Sequence, residues 1–217
     1  MSEFARRRTI MVDTQVRPSD VTKFPIIEAM LTVPRELFVP NALQEAAYAG
    51  ENLEIAPGRT ILDPRTLAKL LEVVNIQPTD LVLDVACGMG YSSAVAAHLA
   101  EAVIALEDNP DLCAEAESAL ANAGADNVAV VEGPLEAGAA KHGPYDVILI
   151  QGAVETVPDA LTDQLKDGGR IAAIFEDGRL GTVRVGLKAD GVMSWRAAFN
   201  ADAPVVSSFR KEAEFSL

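Results

Sequence analysis

Leu81-Val82-Leu83-Asp84-Val85-Ala86-Cys87-Gly88-Met89-Gly90 is the stretch that decides the fold. Apart from Asp84, its first five residues are apolar, as a buried strand requires. Glycines follow at once, and then Ser92–Leu99, an Ala-rich run of helical character. A glycine at such a strand-to-helix turn lets the backbone pass close to a ligand, because no Cβ stands in the way. The helix beyond offers free N–H groups to a carboxylate or other anion.

Downstream, the apolar runs Ala102–Leu106, Val128–Val131, Val147–Ile150 and Arg170–Phe175 alternate with helical segments at Leu112–Ala123 and Pro158–Lys166. Strands alternating with helices predict parallel βαβ units in a doubly wound, mostly parallel sheet. Gly181–Leu187, Val192–Phe199 and Val205–Phe209 are expected as further strands. Upstream, residues 64–75 repeat apolar groups at helical spacing behind Pro64, and Phe24–Leu31 does the same before Val33-Pro34. Residues 46–63, with Gly50, Pro57 and Gly58, read as a loop facing the substrate. The expected plan is an α/β, Rossmann-like domain at 64–217 with a helical N-terminal extension at 1–63, the whole forming one compact unit.

Bulk properties narrow the function. The 217 residues carry a net charge of −14, and a surface that acidic repels nucleic acid and anionic membranes. The basic cluster Arg6-Arg7-Arg8 is too short to reverse this, and Thr9–Asp13 supplies no apolar core for a signal peptide. No stretch approaches the ~18–20 apolar residues that span a bilayer. Cys87 and Cys113 form no CxxC pair, so a reduced, cytoplasmic setting without a metal site is expected.

The next strand ends in Glu107. In a parallel sheet that carboxylate emerges beside the Gly-rich turn, where it can accept both hydroxyls of a ribose. A nucleoside site is therefore expected; the bland reading of Glu107 is a solvated strand-end charge. A dinucleotide fingerprint needs a third glycine where Ser93 stands. Asp84 would repel a pyrophosphate but can receive the ammonium of a methionine moiety, or else it caps the turn or the following helix. The charge argument favours S-adenosylmethionine. Cys87 is assigned no chemistry, and His98 and His142 are not placed for catalysis.

Several stretches also share a wider pattern: Val33-Pro34-Arg35-Glu36-Leu37-Phe38-Val39-Pro40, Ala47-Tyr48, Gly58-Arg59-Thr60-Ile61 with Pro64, Asp84–Tyr91, Asn127-Val128, Pro144–Ile148 and Gln164–Arg170. Over about residues 10 to 175 the chain resembles the protein-L-isoaspartate (D-aspartate) O-methyltransferases. The octet at 33–40 is the more specific part; the Gly-rich turn is shared by many methyltransferases.

The resemblance implies an S-adenosylmethionine-dependent methyltransferase fold. It also implies methyl transfer to the α-carboxylate of isoaspartyl residues in damaged proteins. The cofactor contacts it implies are Asp84, Ala86, Cys87, Gly88, Gly90, Glu107, Gly133, Pro134 and Leu135, with Thr60 and Arg59 toward the acceptor. Arg59 either grips the acceptor carboxylate bidentately or is a solvated loop residue.

Departures from the family pattern are equally specific. Leu62 stands where the family usually has a serine, Arg59 where it has glutamine, Gly50 where it has aspartate, and Ala86 where it has the first glycine of the turn. Gly133-Pro134-Leu135 replaces glycine-aspartate-glycine, and the missing hydrogen bond to the adenine amine is worth about 1 kcal/mol. These departures keep two alternatives open: a catalytically weak or inactive relative acting as a binding or regulatory protein, and a methyltransferase for another carboxylate.

Overall fold

The computed structural model describes residues 2–178 and 180–211. The N-terminal part is helical: α1 (Glu3–Met11) runs on through a π-type turn at Val12–Val16, and α2 (Phe24–Thr32) follows. Val33 stops α2 in extended conformation, as a residue before proline prefers. Arg35–Phe38 and Asn41–Ala46 form short 3-10 turns.

Residues 46–63 are not a plain loop. Strands β1 (Leu53–Ala56) and β2 (Arg59–Ile61) pair antiparallel into a hairpin, with Gly58 at φ +72° in the turn. Arg35 holds the hairpin's two flanks. Wholly buried, its guanidinium stacks on the Tyr91 ring (4.6 Å), and it donates to the carbonyls of Ala47 (2.6 Å) and Leu62 (2.9 Å). The VPRE sequence thus anchors the segment that covers the main sheet.

α3 (Pro64–Val74) opens on an Asp63 cap and feeds β3 (Leu81–Val85). Then come α4 (Tyr91–Ala97), β4 (Ala102–Glu107), α5 (Pro110–Ala123), β5 (Val128–Glu132), β6 (Tyr145–Val154), α6 (Asp159–Thr162), β7 (Leu165–Glu176), β8 (Gly181–Ala189) and β9 (Val192–Asn200). The sheet order is β5-β4-β3-β6-β7-β8-β9. Pairings among β3 to β7 are parallel, while β7–β8 and β8–β9 are antiparallel. The chain winds outward from β3 through β4 and β5, then returns to β6 on β3's other side. The carboxyl end of β3 is therefore the switch point where open α/β sheets bind ligands.

Two expected elements differ. The helix at Pro158–Lys166 shrinks to Asp159–Thr162, because Leu165 and Lys166 already belong to β7. Val205–Phe209 forms one bridge, Val205 to Ala153, and then a 3-10 turn at Ser207–Phe209; a β-branched pair there finds no partner strand to extend along.

Two apolar layers sandwich the sheet. Val82 belongs to the layer that includes Met11, Met30, Leu67 and Leu71, and Leu83 and Val85 to the opposite one, the period-2 alternation of a strand. That alternation puts Asp84 on Val82's face, beneath α4. The N-terminal extension shares this layer with α3, α4 and α5.

In β6 the pairing to β7 breaks between Leu149 and Ala153, and Gly152 sits there at φ +143°. A Cβ on Gly152 would lie 2.6 Å from Val206 Cγ2, and Val206 is buried and stiff at χ1. Gly152→Ala is therefore expected to destabilise the protein by about 1–3 kcal/mol through backbone strain and overpacking. A urea titration should show a lower midpoint at unchanged m-value.

Candidate active site

The turn after β3 is tied into the sheet end. Cys87 N–H donates to Leu106 O (3.2 Å) and Gly90 N–H to Cys87 O (2.9 Å). Ala86, Gly88 and Gly90 all take positive φ (+60°, +57° and +90°). Ala86 thus adopts the left-handed conformation with a side chain, which costs roughly 1–2 kcal/mol relative to glycine's freedom. Burial pushes the Cys87 thiol well above its ordinary pKa, consistent with a filler and not a nucleophile.

Asp84 is fully buried, and its carboxylate is already engaged. Ser92 Oγ and Ser93 Oγ each donate to Oδ2 at 2.6 Å, and Gln151 Nε2 donates to Oδ1 at 2.7 Å. Of the two readings of Asp84, receptor for an ammonium or cap of the turn or following helix, the contacts resemble the second: Asp84 pins β3 to the start of α4 and to β6. Burial lifts its pKa above the ordinary 3.8, and the three donors oppose that shift. Gln151, and the role of Ser92 and Ser93 as donors to Asp84, went unnoticed in the sequence. Gln151 had a signal, a polar residue ending the apolar run of β6 beside the switch point.

Glu107 reaches the same sheet end with no exposed surface. Its oxygens accept from Gly88 N–H (2.9 Å), Asp108 N–H (3.1 Å) and Asn109 N–H (3.2 Å). Arg59 Nε completes the set at 2.8 Å from Oε1 and 3.1 Å from Oε2. Arg59 Nη2 donates to Asp108 Oδ1, and Nη1 to Gly58 O (2.9 Å). This corrects both expectations for Arg59: it is neither solvated nor available to an acceptor carboxylate. It also means that Glu107 is met by a guanidinium on the side where ribose hydroxyls were expected. Asp108, absent from the sequence reading, is the second anchor.

The hairpin seals the turn as well. A Cβ on Gly88 would lie 2.7 Å from Cδ1 of Ile55, so the hollow left by the glycine is filled by a β1 side chain. Beyond it, Gly133 N–H donates to Glu107 O (3.0 Å), and Pro134 leads into the 3-10 turn Leu135–Ala137. Gly133 and Pro134 line an open cleft of about 390 Å³ with Asp108, Glu132, Glu136 and Ser208. The Leu135 side chain turns away into the second apolar layer, fully buried, so it belongs to the core and not to the cleft.

Thr60, next along β2, lines a small cavity of about 10 Å³ with Ile61, Leu62, Leu67, Cys87, Tyr91, Ser92 and Gln151. Its Oγ1 is buried and finds no hydrogen-bond partner among the described residues. The structure thus brings Thr60, Arg59, the Gly-rich turn and Glu107 together at one sheet end, with Gly133 and Pro134 on its rim.

A switch-point crevice with a glycine turn and an acidic residue ending β4 defines a Rossmann-like nucleoside-binding domain. Residues 7–198 match the family profile described as Protein-L-isoaspartate(D-aspartate) O-methyltransferase (PCMT). The chain belongs to this family. It is 39% identical over 171 residues to Protein-L-isoaspartate O-methyltransferase of Koribacter versatilis, covering 79% of this chain and 77% of that one. The Synechococcus sp. enzyme of the same name is 40% identical over 168 residues, covering 77% and 69%.

Among solved structures, a protein-L-isoaspartate O-methyltransferase superposes with a TM-score of 0.77 at 24% identity, covering 93% of this chain and 65% of that one. A Plasmodium falciparum protein described under the same activity, solved with S-adenosyl-L-homocysteine, gives 0.78 at 18% identity, covering 96% and 100%. At these identities the two structures speak for the fold.

Asp84 supplies a pH test. Because its folded pKa is raised, the wild type is penalised as pH climbs from 3.8 through that raised value, and fully so above it. Asp84→Asn removes the charge and keeps one oxygen for the two serine hydroxyls, while its amide N–H is met once Gln151 turns its carbonyl oxygen toward it. The melting temperature of the variant relative to wild type should therefore increase from pH 4 upward and level off. A pH-independent difference would show that Asp84 carries no such penalty.

Proposed function

We propose that this chain transfers the methyl group of S-adenosylmethionine to the α-carboxylate of isoaspartyl residues in proteins or peptides. The observation that carries the reading is the convergence of Glu107, the 86–90 turn and Thr60 at the switch point of a chain whose family match spans nearly its whole length. With the contacts of Arg59 and Ile55 released, these residues fit the methyl donor. Glu107 suits the ribose hydroxyls, the backbone of Ala86, Cys87, Gly88 and Gly90 the methionine end, and the Gly133-Pro134 rim the adenine.

Bound there, S-adenosylmethionine supplies a methyl group activated by its sulfonium. The chain's own task is then positioning. A carboxylate is already a nucleophile, so the site has to align it and exclude water, with no strong base required. The Thr60 hydroxyl, buried and with an unused donor, is suited to hold one oxygen of the acceptor. Asp84, through Ser92, Ser93 and Gln151, keeps the opposite wall rigid. Among the described residues no helix is long and apolar enough to cross a membrane.

An isoaspartyl peptide should accept radiolabelled methyl, whereas its aspartyl twin should not; equal incorporation, or none, overturns the substrate assignment. Thr60→Val separates function from packing. Removing a buried unpaired hydroxyl should leave stability unchanged or raise it by about 1 kcal/mol. Its kcat/KM for the isoaspartyl peptide should fall at least tenfold, the size of one lost hydrogen bond to a charged group.

A further inference from the structure

We infer that Arg59 is an internal competitor for the methyl donor, a residue that sets cofactor affinity by occupying Glu107 itself. The inference rests on the reading of Glu107 as the ribose-binding carboxylate.

Three observations support it. First, the contact has the form of the ligand it would exclude. A vicinal diol presents two donors to a carboxylate, and Arg59 Nε presents its N–H across both oxygens at 2.8 and 3.1 Å. The remaining acceptor capacity of Glu107 is taken by the backbone N–H groups of Gly88, Asp108 and Asn109. A ribose hydroxyl therefore finds an acceptor site on Glu107 only where Arg59 gives up its shared N–H contact.

Second, the hairpin carries a second plug. Ile55 packs into the hollow over Gly88, where a close backbone approach to a ligand is otherwise open. Arg59 and Ile55 sit on adjacent strands, so one displacement of the hairpin withdraws both.

Third, Arg59 is anchored at three points. Its Nη2 is held by Asp108 and its Nη1 by Gly58 O. An arginine with all its nitrogens engaged and little exposed surface is a built-in latch and not a passing surface contact.

Competition follows from linkage. Any ligand that needs the withdrawn hairpin binds with an affinity reduced by the fraction of molecules that have it withdrawn. Weakening the latch raises that fraction and tightens binding, with no new contact to the ligand. Glutamine at position 59 still donates a hydrogen bond but carries no charge to pair with Glu107.

The test is calorimetric titration of the full-length protein with S-adenosylhomocysteine. Arg59→Gln should bind at least tenfold tighter than wild type. Asp108→Asn, which loosens the second anchor and keeps the backbone N–H, should bind tighter by a smaller factor. Arg59→Lys, which keeps a cation but loses the three-nitrogen fork, should bind tighter than wild type by less than Arg59→Gln.

Heat in the wild type with equal or weaker binding in Arg59→Gln and Asp108→Asn overturns the competitor and leaves the cofactor reading standing. No heat in any variant overturns the cofactor reading and the competitor together. Thermal melts identify folded variants; should Arg59→Gln not fold, Asp108→Asn decides alone, and an unchanged affinity there overturns the proposal.

Discussion

A carboxylate with no exposed surface must be surrounded by donors, and at the end of β4 that demand organises the whole site. Taking an ionised carboxylate out of water costs several kcal/mol unless hydrogen bonds and a counter-charge replace the hydration. Glu107 meets the demand from three directions: the turn after β3, the start of the segment leading into α5, and the hairpin. Each direction exists because of the topology. β3 and β4 are parallel neighbours, so Gly88 and Glu107 emerge together. Arg59 comes from 48 residues upstream, carried there by a segment that Arg35 clamps at both flanks.

Asp84 and Glu107 show how environment separates two acids at one sheet edge. Burial raises the pKa of both, but Asp84 has neutral partners only, and its work is mechanical, joining β3 to α4 and β6. Glu107 has a cationic partner at bonding distance and lies next to an open cleft. Charge alone did not distinguish them in the sequence, where both stood as candidate ligand contacts. The difference is that Asp84 points under a helix, whereas Glu107 ends its strand at the crevice.

What the sequence made legible is what short-range pattern encodes. The apolar runs of β3 to β7, the glycine turn and the acid at 107 are all readable within a window of a few residues, and they gave the parallel sheet and set Glu107 beside the glycine turn, as the structure has it. The hairpin was not readable. β1 and β2 have four and three residues without clear alternation, too short for a periodic signal. Distant contacts hold them: Arg35 to Leu62 O, and Asn52 to the carbonyl of Asp202. The Arg59–Glu107 pair was hidden for the same reason, since its partners lie on elements that meet only in the folded chain. At α6 and at Val205–Phe209 local preference was overruled, in one case by a strand that starts early and in the other by the lack of a neighbour to pair with.

The departures from the family pattern become one mechanical statement once the hairpin is in view. Successive residues of a strand face opposite ways. Arg59 and Thr60 are successive, and in β2 Arg59 meets Glu107 while Thr60 meets the cavity lined by Tyr91, Ser92 and Gln151. Arginine in place of glutamine therefore does more than change one contact. It fastens to the donor side of the site the same strand that presents the acceptor-side hydroxyl. At position 62 the backbone carbonyl is held by Arg35, and leucine in place of serine adds a buried apolar side chain there. Arg59 and Thr60 are joined by one peptide bond, so on the proposed reading the release of Glu107 by Arg59 and the position of the Thr60 hydroxyl are coupled through the backbone of β2.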